Sequence, residues 1–349
     1  MPREPWELSA VIGTLIRALL AVVAAAAAVS TASAQTLNAV KTRGVLNCGS
    51  NGSLAGFGAP DSQGRWTGLD VDLCRAIAAA IFNDPNKVKF VPLSAKDRFT
   101  ALQSKEVDVL VRNTTWTISR DVKTGLNFTG INFFDHQAFM VRKALQVKSA
   151  LELNDAAVCV QQGTTTEQNL ADYFRARKMK LKTVTFASAE EAIKAYDSKR
   201  CDAYTTDASG IRSEMRKLVN PDEHVILDDV VSKEPLGPAV RQGDDQWFDI
   251  VKWVHFAMLN AEEYGVTRAN VDEMRKSELP DIRRLLGLEG NFGEELGLTN
   301  DWAYRIIKHV GNYGEVFERN VGQGSPLKLP RGYNALWTKG GLQFAPPIR

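Results

Sequence analysis

The sequence lacks several features that would define a function class. Its net charge is only +2, from 43 basic and 41 acidic residues, so no excess of one sign points to nucleic acid. The four cysteines show no CxxC spacing and the four histidines are scattered, which gives a metal site little support. Hydrophobic residues make up 44% and charged residues 24% of the 349 residues, which excludes a disordered or coiled-coil chain. The length predicts about two globular domains.

Only the N-terminus carries a long apolar run. The segment Ala18 to Val29 contains only Ala, Leu and Val, and it is followed by Ala32-Ser33-Ala34, a small-x-small cleavage pattern. With arginines ahead of the run, residues 1–34 are typical of a secretory signal peptide, and the mature chain would start at about Gln35. A membrane anchor is the alternative, but a span needs about 20 apolar residues. We expect a soluble protein exported to a bacterial periplasm.

Export changes how the cysteines are interpreted. In an oxidising compartment an even number of cysteines favours disulfide bonds. The chain has Cys48, Cys74, Cys159 and Cys201, for which three connectivities are possible. Four buried thiols are the alternative.

Strand and helix patterns alternate twice along the mature chain. The first block, residues 44–111, reads β-α-β-α-β, with apolar residues at helical spacing from Asp70 to Phe82. The second block, residues 158–206, repeats the alternation, and capping-box spacings at Thr164 and Ser188 open its two helices. Alternating strands and helices indicate parallel sheets covered by helices. We therefore expect two α/β lobes, followed by a mostly helical segment.

Three polar segments directly follow predicted strands, where ligands bind in open α/β sheets. Residues 112–120 end in Arg120, whose guanidinium can hold a carboxylate through two parallel hydrogen bonds. Residues 162–165 open a helix, and its N-terminus also suits an anion. Asp207 supplies a negative charge that can hold an ammonium. Together they would fit a zwitterion such as an amino acid, although a surface salt bridge, a helix N-cap and plain caps are the alternatives.

The ordered set of motifs resembles the family-3-type extracellular solute-binding proteins of polar amino-acid ABC transporters. Within that group it is most similar to the general L-amino-acid-binding subfamily. The features that carry the resemblance in residues 37–260 are Gly68 to Leu73, Asp97-Arg98-Phe99 with Leu102, Val107-Asp108-Val109, Asn113 to Arg120, Gln162 to Thr165, and Asp202 to Asp207. The features shared with the longer subfamily are Lys233 to Pro238, Gly311 to Glu315, and Asn334 to Trp337.

The resemblance implies an α/β fold of the two-lobe periplasmic-binding-protein kind, type II-like, with two crossover strands and a helical C-terminal extension. Lobe one would be discontinuous, comprising residues 35–142 plus 237–349. Lobe two would comprise residues 143–236. The crossovers would lie near residues 139–143 and 231–236, with the ligand in the cleft between the lobes.

The resemblance also assigns roles in holding the ligand's α-carboxylate. Arg120 matches the arginine that grips this group. Thr115 matches a hydroxyl position whose backbone N–H also reaches it. Thr164 and Thr165 match the contacts that lobe two makes with the same carboxylate.

The ammonium and the side chain of the ligand would meet other residues. Asn113 and Asp207 match the positions that hold the α-ammonium. Asn51 occupies a position that is Asp in binders of cationic amino acids, which argues against strict Lys, Arg or His selectivity. Arg98 matches an arginine of acidic-amino-acid binders, with a helix-surface salt bridge as its alternative. Arg112 is a large cation where relatives often have a small residue.

A disulfide pairing follows from the expected strand order. The strands holding Cys159 and Cys201 would be neighbours, and the helix of Cys74 would pack against the strand of Cys48. We predict the pairs Cys48–Cys74 in lobe one and Cys159–Cys201 in lobe two, both of which leave lobe closure free.

The resulting hypothesis is a periplasmic substrate-binding component of an ABC importer, which captures L-amino acids broadly and delivers them to membrane permease subunits. We expect a monomer without cofactor, metal or nucleic-acid partner. The alternative is a periplasmic dehydratase-type enzyme on the same fold. Such an enzyme needs an acid–base group aimed at the ligand, and no lone Glu, His or Lys follows the predicted strands; Glu167 is explained as a cap.

Overall fold

The computed structural model describes residues 35–349, and the predicted signal peptide lies outside them. The elements before the first crossing between the sheets are α1 (Gln35–Arg43), β1 (Leu46–Ser50), β2 (Ala59–Pro60), β3 (Trp66–Thr67), α2 (Leu69–Phe82), β4 (Val88–Pro92), α3 (Arg98–Gln103), β5 (Val109–Leu110), α4 (Ile118–Lys123) and β6 (Leu126–Phe128). Between the two crossings lie β7 (Phe133–Arg142), β8 (Ala157–Gln161), α5 (Thr165–Ala176), β9 (Lys182–Phe186), α6 (Ala189–Asp197), β10 (Ala203–Asp207), α7 (Ala208–Met215), β11 (His224–Ile226) and β12 (Ser232–Leu236). After the second crossing come β13 (Ala239–Arg241), α8 (Asp245–Glu263), α9 (Val271–Met274), α10 (Pro280–Leu285), α11 (Phe292–Glu295), α12 (Trp302–His309) and α13 (Tyr313–Asn320).

Each lobe is built on its own sheet. Lobe one has a five-stranded sheet in the order β4-β1-β5-β13-β6, and lobe two a six-stranded sheet in the order β11-β7-β10-β8-β9, with β12 paired to β7. In each sheet a central strand has parallel neighbours, β1 between β4 and β5, and β8 between β9 and β10. The expected parallel pairing is found for these central strands, whereas β13 and β7 pair antiparallel with their neighbours. Both are strands through which the chain enters a sheet from the other lobe.

The chain crosses between the sheets twice. It leaves the first sheet after Phe128 and enters the second at Phe133, and it returns between Leu236 and Ala239. The strands β7 and β12 pair antiparallel along Phe133 to Gln137, so they form a two-stranded connection between the lobes. Residues 137–142 of β7 are hydrogen-bonded to β10 and β11 of the second sheet.

The helical extension belongs to the core of lobe one. Ile306 and Phe317 are buried in the same apolar cluster as Leu46 of β1 and Ile77 of α2. Even the terminal stretch after α13, which has two short 3-10 helices and no strand, buries Ile348 in this cluster. Lobe two has two smaller clusters, which include residues from alternate positions of β7. The extension therefore adds its apolar area to one lobe only.

Disulfide bonds join Cys48 to Cys74 and Cys159 to Cys201, the pairs expected from the strand order. The first links β1 to α2, and the second links β8 to the residue just before β10. Within residues 35–349, no helix is long and apolar enough to cross a membrane.

Candidate ligand-binding cleft

A cleft with about 490 Å³ of empty space, including its opening to solvent, lies between the lobes. The residues that line it from lobe one are Asn51, Leu54, Arg98, Arg112, Asn113 and Thr115. The residues that line it from lobe two are Gln161, Thr164, Thr165, Thr166, Ala189, Tyr204, Thr206, Asp207, Gly210 and Glu214. The cleft thus gathers every predicted binding residue except Arg120.

The lobe-one wall is a loop with an unusual backbone at Asn113, where φ is +35°, close to the left-handed region that Asn tolerates better than most residues. Two polar contacts hold it there. The Asn113 backbone N–H donates to Asp70 Oδ2 at 2.7 Å, and its side-chain oxygen accepts from the Asn51 amide at 3.0 Å. Asp70 is a buried carboxyl in the first turn of α2 that also accepts from Asn132 at 3.2 Å. The loop is therefore fixed from the core of the lobe.

Two arginines present buried guanidiniums to the cleft from lobe one. Arg98 is only 2% exposed, its Nη1 lies 3.3 Å from Thr114 Oγ1, and its Nε has no partner among residues 35–349. Arg112 donates from Nε to the Leu93 carbonyl at 2.9 Å. Burial lowers the pKa of Arg98, and the charges of Arg112 and Arg120 lower it further; burial also lowers the pKa of Arg112, to about 10. An anion placed between these like charges would relieve their repulsion.

Arg120 lies behind this wall and does not line the cleft. Its Nη1 donates to the Thr115 carbonyl at 2.9 Å, and its guanidinium carbon lies 5.4 Å from the centre of the Phe99 ring. The side chain is buried, which lowers its pKa, and it makes no salt bridge with any residue from 35 to 349. The structure thus places Arg120 next to the predicted carboxylate site without bringing it onto the cleft wall.

The lobe-two wall begins where β8 turns into α5. Thr164 caps this helix by accepting from the Glu167 N–H at 3.1 Å, and it donates its own proton to the Gln161 carbonyl at 2.7 Å. The predicted capping box is incomplete, because the Glu167 carboxylate accepts instead from the Gly163 N–H at 2.8 Å. Gly163 has φ +75°, and this turn brings its N–H to the carboxylate. Thr165 is the first residue of the helix.

Asp207 is the last residue of β10 and precedes α7 without making a side-chain cap hydrogen bond. The alternative role as a helix N-cap is therefore not seen. Burial raises the pKa of its carboxyl well above the usual range, and the negative charges of Glu234 and Asp135 raise it further. A carboxyl in this environment is suited to a cationic partner, since a positive charge nearby favours its ionised form.

Glu234 is a buried residue beside the cleft that the sequence analysis quoted only as part of a motif. It lies in β12, is 0% exposed, and accepts from four side chains: Thr115 at 2.6 Å, Thr165 at 2.8 Å, Asn169 at 2.8 Å and Ser232 at 2.6 Å. The sequence signal that could have identified Glu234 is an acidic residue inside a predicted strand, next to Pro235. Its partners come from both lobes, which sequence spacing could not show.

One further acidic residue at the cleft was missed by the sequence analysis. Glu214 lines the cleft from α7 and forms an ion pair with Lys217 at 3.0 Å, and burial raises its pKa. Trp116 stacks on Phe128, with ring centres 5.6 Å apart, and does not line the cleft. Among residues 35–349, no cluster of three or more His, Cys, Asp or Glu side chains is placed to hold a metal ion.

Comparison with known proteins identifies the family. Residues 46–268 match the bacterial extracellular solute-binding proteins, family 3. The chain is 60% identical over 337 residues to the general L-amino acid-binding periplasmic protein AapJ of Rhizobium johnstonii, covering 96% of this chain and 99% of that protein. It is 54% identical over 333 residues to the glutamate/glutamine/aspartate/asparagine-binding protein BztA of Rhodobacter capsulatus, covering 95% and 97% of the two chains.

The fold has a similarly close counterpart. A solved structure of an ABC transporter periplasmic binding protein from Brucella ovis with glutathione bound is 60% identical to this chain and matches it with a TM-score of 0.89. The match covers 90% of this chain and 100% of that one. These findings confirm the two-lobe fold and the resemblance inferred from the motifs, and the chain belongs to the bacterial extracellular solute-binding proteins, family 3.

Proposed function

We propose that this protein is the periplasmic substrate-binding component of an ABC importer, capturing L-amino acids with broad specificity. One observation carries the proposal: guanidiniums of lobe one and the Asp207 carboxyl of lobe two, which does not cap the helix that follows it, face the same cleft. A zwitterion supplies the two charges that this arrangement complements. The names of the relatives AapJ and BztA describe the same class of ligand.

The α-carboxylate and α-ammonium of the ligand would attach it to the cleft, and its side chain would determine which amino acids bind more tightly. Arg120, Thr115, Thr164 and Thr165 surround the proposed carboxylate site, and the N-terminus of α5 adds backbone N–H groups that favour an anion. Asp207 would take the ammonium, together with Asn113. Both groups are common to all amino acids, so this part of the site is compatible with broad specificity.

The side-chain end of the cleft would favour hydrogen-bond acceptors and anions. Arg98 has an N–H donor without a partner among residues 35–349, and Arg112 extends a second guanidinium into the same space. Aspartate, glutamate and their amides present oxygens to such donors. Glutathione carries a γ-glutamyl group with a free α-carboxylate and α-ammonium, so the ligand of the Brucella ovis protein fits the same description.

A thermal-shift panel tests the proposal. Ligand-stripped protein is heated with each of the twenty amino acids and with glutathione in turn. A ligand at about 100 times its Kd adds about 2.7 kcal/mol of stability, so true ligands raise the Tm clearly. The proposal is overturned if no member of the panel raises it.

Delivery to membrane permease subunits, a monomeric state and cleavage of a signal peptide are parts of the same proposal. The periplasmic names of the relatives support the location, and the predicted leader supports export. Fractionation of cells expressing the full chain, with N-terminal sequencing of the product, tests the location and the cleavage. A mature N-terminus far from Gln35 would contradict the cleavage site.

A dehydratase-type enzyme is the second candidate, because Glu214 is a cleft-lining acid whose pKa burial raises. Its ion pair with Lys217 gives it a structural role that needs no catalysis. Incubation of the protein with prephenate, arogenate or a bound amino acid separates the two candidates. Recovery of the compound unchanged supports the binding protein, and its dehydration would establish the enzyme.

A further inference from the structure

The lobe-two wall of the cleft carries a second acid, Glu214, on the helix that Asp207 precedes. Asp207, Gly210 and Glu214 all line the cleft. Gly210 and Glu214 are four residues apart, which places them on one face of α7 next to Asp207. Glycine weakens a helix relative to alanine, and a Cβ at this position would lie 3.9 Å from the Asp207 Cβ. The missing side chain therefore leaves room for a ligand held at Asp207 to extend along α7 toward Glu214.

The Glu214 carboxylate is only partly satisfied within the protein, although its side chain is just 1% exposed. Lys217 Nζ lies 3.0 Å from both carboxylate oxygens, but its hydrogen bond goes to Oε1. The Oε2 atom has no hydrogen-bond partner among residues 35–349. Each oxygen of a carboxylate can accept hydrogen bonds, and a buried acceptor that is left without one is costly. Oε2 is therefore available to an N–H donor that enters the cleft.

The lobe-one wall near this acid is neutral. Lys217 donates to the Ser53 carbonyl at 3.0 Å, so this end of α7 meets the lobe-one loop that contains Ser53. From that loop, Asn51 and Leu54 line the cleft. Neither side chain carries a charge, and Leu54 offers an apolar surface. A long ligand side chain can pack its methylene groups on Leu54 while its terminal charge is met by Glu214.

We infer that Glu214 is a specificity-determining residue that binds the guanidinium or ammonium at the end of a cationic ligand side chain. The inference rests on the proposed function and deepens it, because it gives the cleft two ends of opposite charge. Arg98 and Arg112 receive the oxygens of acidic and amide side chains, and Glu214 receives the N–H groups of cationic ones. The negative charge comes from lobe two, whereas Asn51 of lobe one offers only an amide.

The decisive variant is Glu214→Gln, which keeps the shape of the side chain and removes its charge. L-arginine and L-citrulline are the probes, because their side chains have the same length and only that of arginine is charged. L-glutamate is the third ligand, since its side chain would lie at the arginine end of the cleft. Binding to ligand-stripped protein is measured by titration calorimetry, with competition for weak ligands.

We expect the wild-type protein to prefer arginine to citrulline, and Glu214→Gln to lower this preference by about tenfold, the size of one hydrogen bond to a charged group. L-glutamate should bind about as before. An unchanged preference would overturn the inference, and so would an equal loss for all three ligands, which would show a merely structural role. The matched control is Glu262→Gln, another largely buried acid, which pairs with Arg331 at 3.0 Å outside the cleft and should leave the preference unchanged.

The Lys217 ammonium released in Glu214→Gln would itself repel arginine, so a double variant separates the two effects. Glu214→Gln combined with Lys217→Met removes both charges. If Glu214 binds the guanidinium, the preference for arginine stays low in the double variant. A return to the wild-type preference would assign the effect to Lys217 and overturn the inference.

Lys217→Met alone decides the question if Glu214→Gln does not fold. It removes a competing cation from the Glu214 carboxylate, so the preference for arginine over citrulline should rise, and an unchanged or lower preference would overturn the inference. Wild-type protein that binds L-glutamate without preferring arginine to citrulline would also overturn it and leave the proposed function standing. Wild-type protein that binds no amino acid would instead refute the proposed function, which keeps the two failures distinct.

Discussion

At the scale of single residues, the cleft brings together buried charged side chains that are incompletely paired with other described residues. Arg98 and Arg112 approach from lobe one, and Asp207 approaches from lobe two. Burying an incompletely paired charge is costly, so a ligand that supplies the opposite charges recovers part of that cost. Three predictions concern Arg120, Asp207 and Arg98.

Arg120→Lys should weaken the binding of every amino acid by about tenfold or more, because lysine keeps the charge but lacks the planar fork. Arg120 already uses one nitrogen on the Thr115 carbonyl, and lysine cannot hold that contact and a carboxylate in the same geometry. Calorimetry with Glu, Gln and Leu measures the effect. Arg241→Lys is the control, since Arg241 binds the Leu102 and Val107 carbonyls away from the cleft. Full binding by Arg120→Lys would contradict the carboxylate role.

The affinity for amino acids should rise with pH across the titration of Asp207. Burial and the charges of Glu234 and Asp135 raise the pKa of Asp207 in the protein without ligand. A ligand ammonium stabilises the ionised form, so binding lowers this pKa and releases a proton. The ammonium contact is therefore fully present above the raised pKa and is lost as the pH falls below it.

Calorimetry at several pH values, in buffers of different ionisation enthalpy, measures the released proton. Asp207→Asn should weaken all ligands by about 2–5 kcal/mol and flatten the pH dependence. Asp135→Asn is the control, because burial raises the pKa of Asp135 to about 7 although it lies outside the cleft wall. A pH dependence that survives in Asp207→Asn and vanishes in Asp135→Asn would show that Asp135 releases the proton, and it would contradict the prediction.

Arg98→Ala should change selectivity rather than overall binding. Its guanidinium lines the cleft, and its Nε has no partner in the described part of the chain. The binding of acidic ligands should therefore weaken by about tenfold or more as a charge-assisted hydrogen bond is lost. Leu should change little, since it has no group for this donor. Titration with Glu, Gln and Leu separates the outcomes, and an equal loss for all three would make Arg98 structural.

At the scale of elements, two disulfide bonds tie helices and strands together within each lobe. Cys159 and Cys201 close a separation of 42 residues around α5, β9 and α6. A cross-link of this kind restricts the unfolded chain, and it typically stabilises by about 2–4 kcal/mol. Neither bond crosses the cleft, so both are compatible with movement of the lobes.

Replacement of Cys159 and Cys201 by alanine should therefore lower the free energy of unfolding by about 2–4 kcal/mol, with ligand affinity largely kept. Denaturant unfolding and calorimetry measure the two quantities. Peptide mapping without reductant should find only the pairs Cys48–Cys74 and Cys159–Cys201. A fragment linking Cys48 to Cys159, or Cys74 to Cys201, would contradict the pairing.

At the scale of the whole molecule, side chains of the two lobes are in contact across the cleft. Thr115 meets Thr165, and Lys217 donates to the Ser53 carbonyl at 3.0 Å. The C-terminal extension takes part as well, because Arg216 of lobe two lies 3.2 Å from the Pro326 carbonyl. A ligand that touches both lobes would add to these contacts and shift the balance toward closure.

The extension also reaches the connection between the lobes. The Asn334 side chain accepts from the Phe134 N–H at 2.7 Å and donates to the Phe134 carbonyl at 3.0 Å, and the Tyr313 hydroxyl donates to the Asn132 carbonyl at 2.8 Å. These bonds fix the start of β7 to the extension and thereby to lobe one. The connection is therefore attached to lobe one at the start of β7, whereas the rest of β7 pairs with strands of lobe two.

Small-angle scattering should show a smaller radius of gyration when an amino acid that binds is added. The physical reason is that Asp207 and Arg120 lie on opposite lobes, so one zwitterion can be held fully only when the lobes approach. Calorimetry on the same sample establishes that binding has occurred. An unchanged radius with confirmed binding would contradict a hinge mechanism.

The sequence alone was sufficient for the order of elements and for most of the cleft. The helix at Leu69–Phe82, the strand before Gln162 and the caps at Thr164 and Ser188 depend on neighbours a few residues apart, so local patterns predicted them. Because ligand-binding loops follow strand ends, the positions of Asn113 and Asp207 could also be predicted from the sequence. The division into lobes at residues 142/143 and 236/237 stays a prediction.

Only the tertiary structure decided which side chains share hydrogen bonds across the lobes. Glu234 is 119 residues from Thr115 and 69 residues from Thr165, and no local pattern encodes such a meeting. The position of Arg120 behind the cleft wall could not be predicted for the same reason, since it depends on how Thr115 and Phe99 pack around its side chain. Residue type and spacing determine what a side chain can donate or accept, whereas the packing of distant segments determines which group it meets.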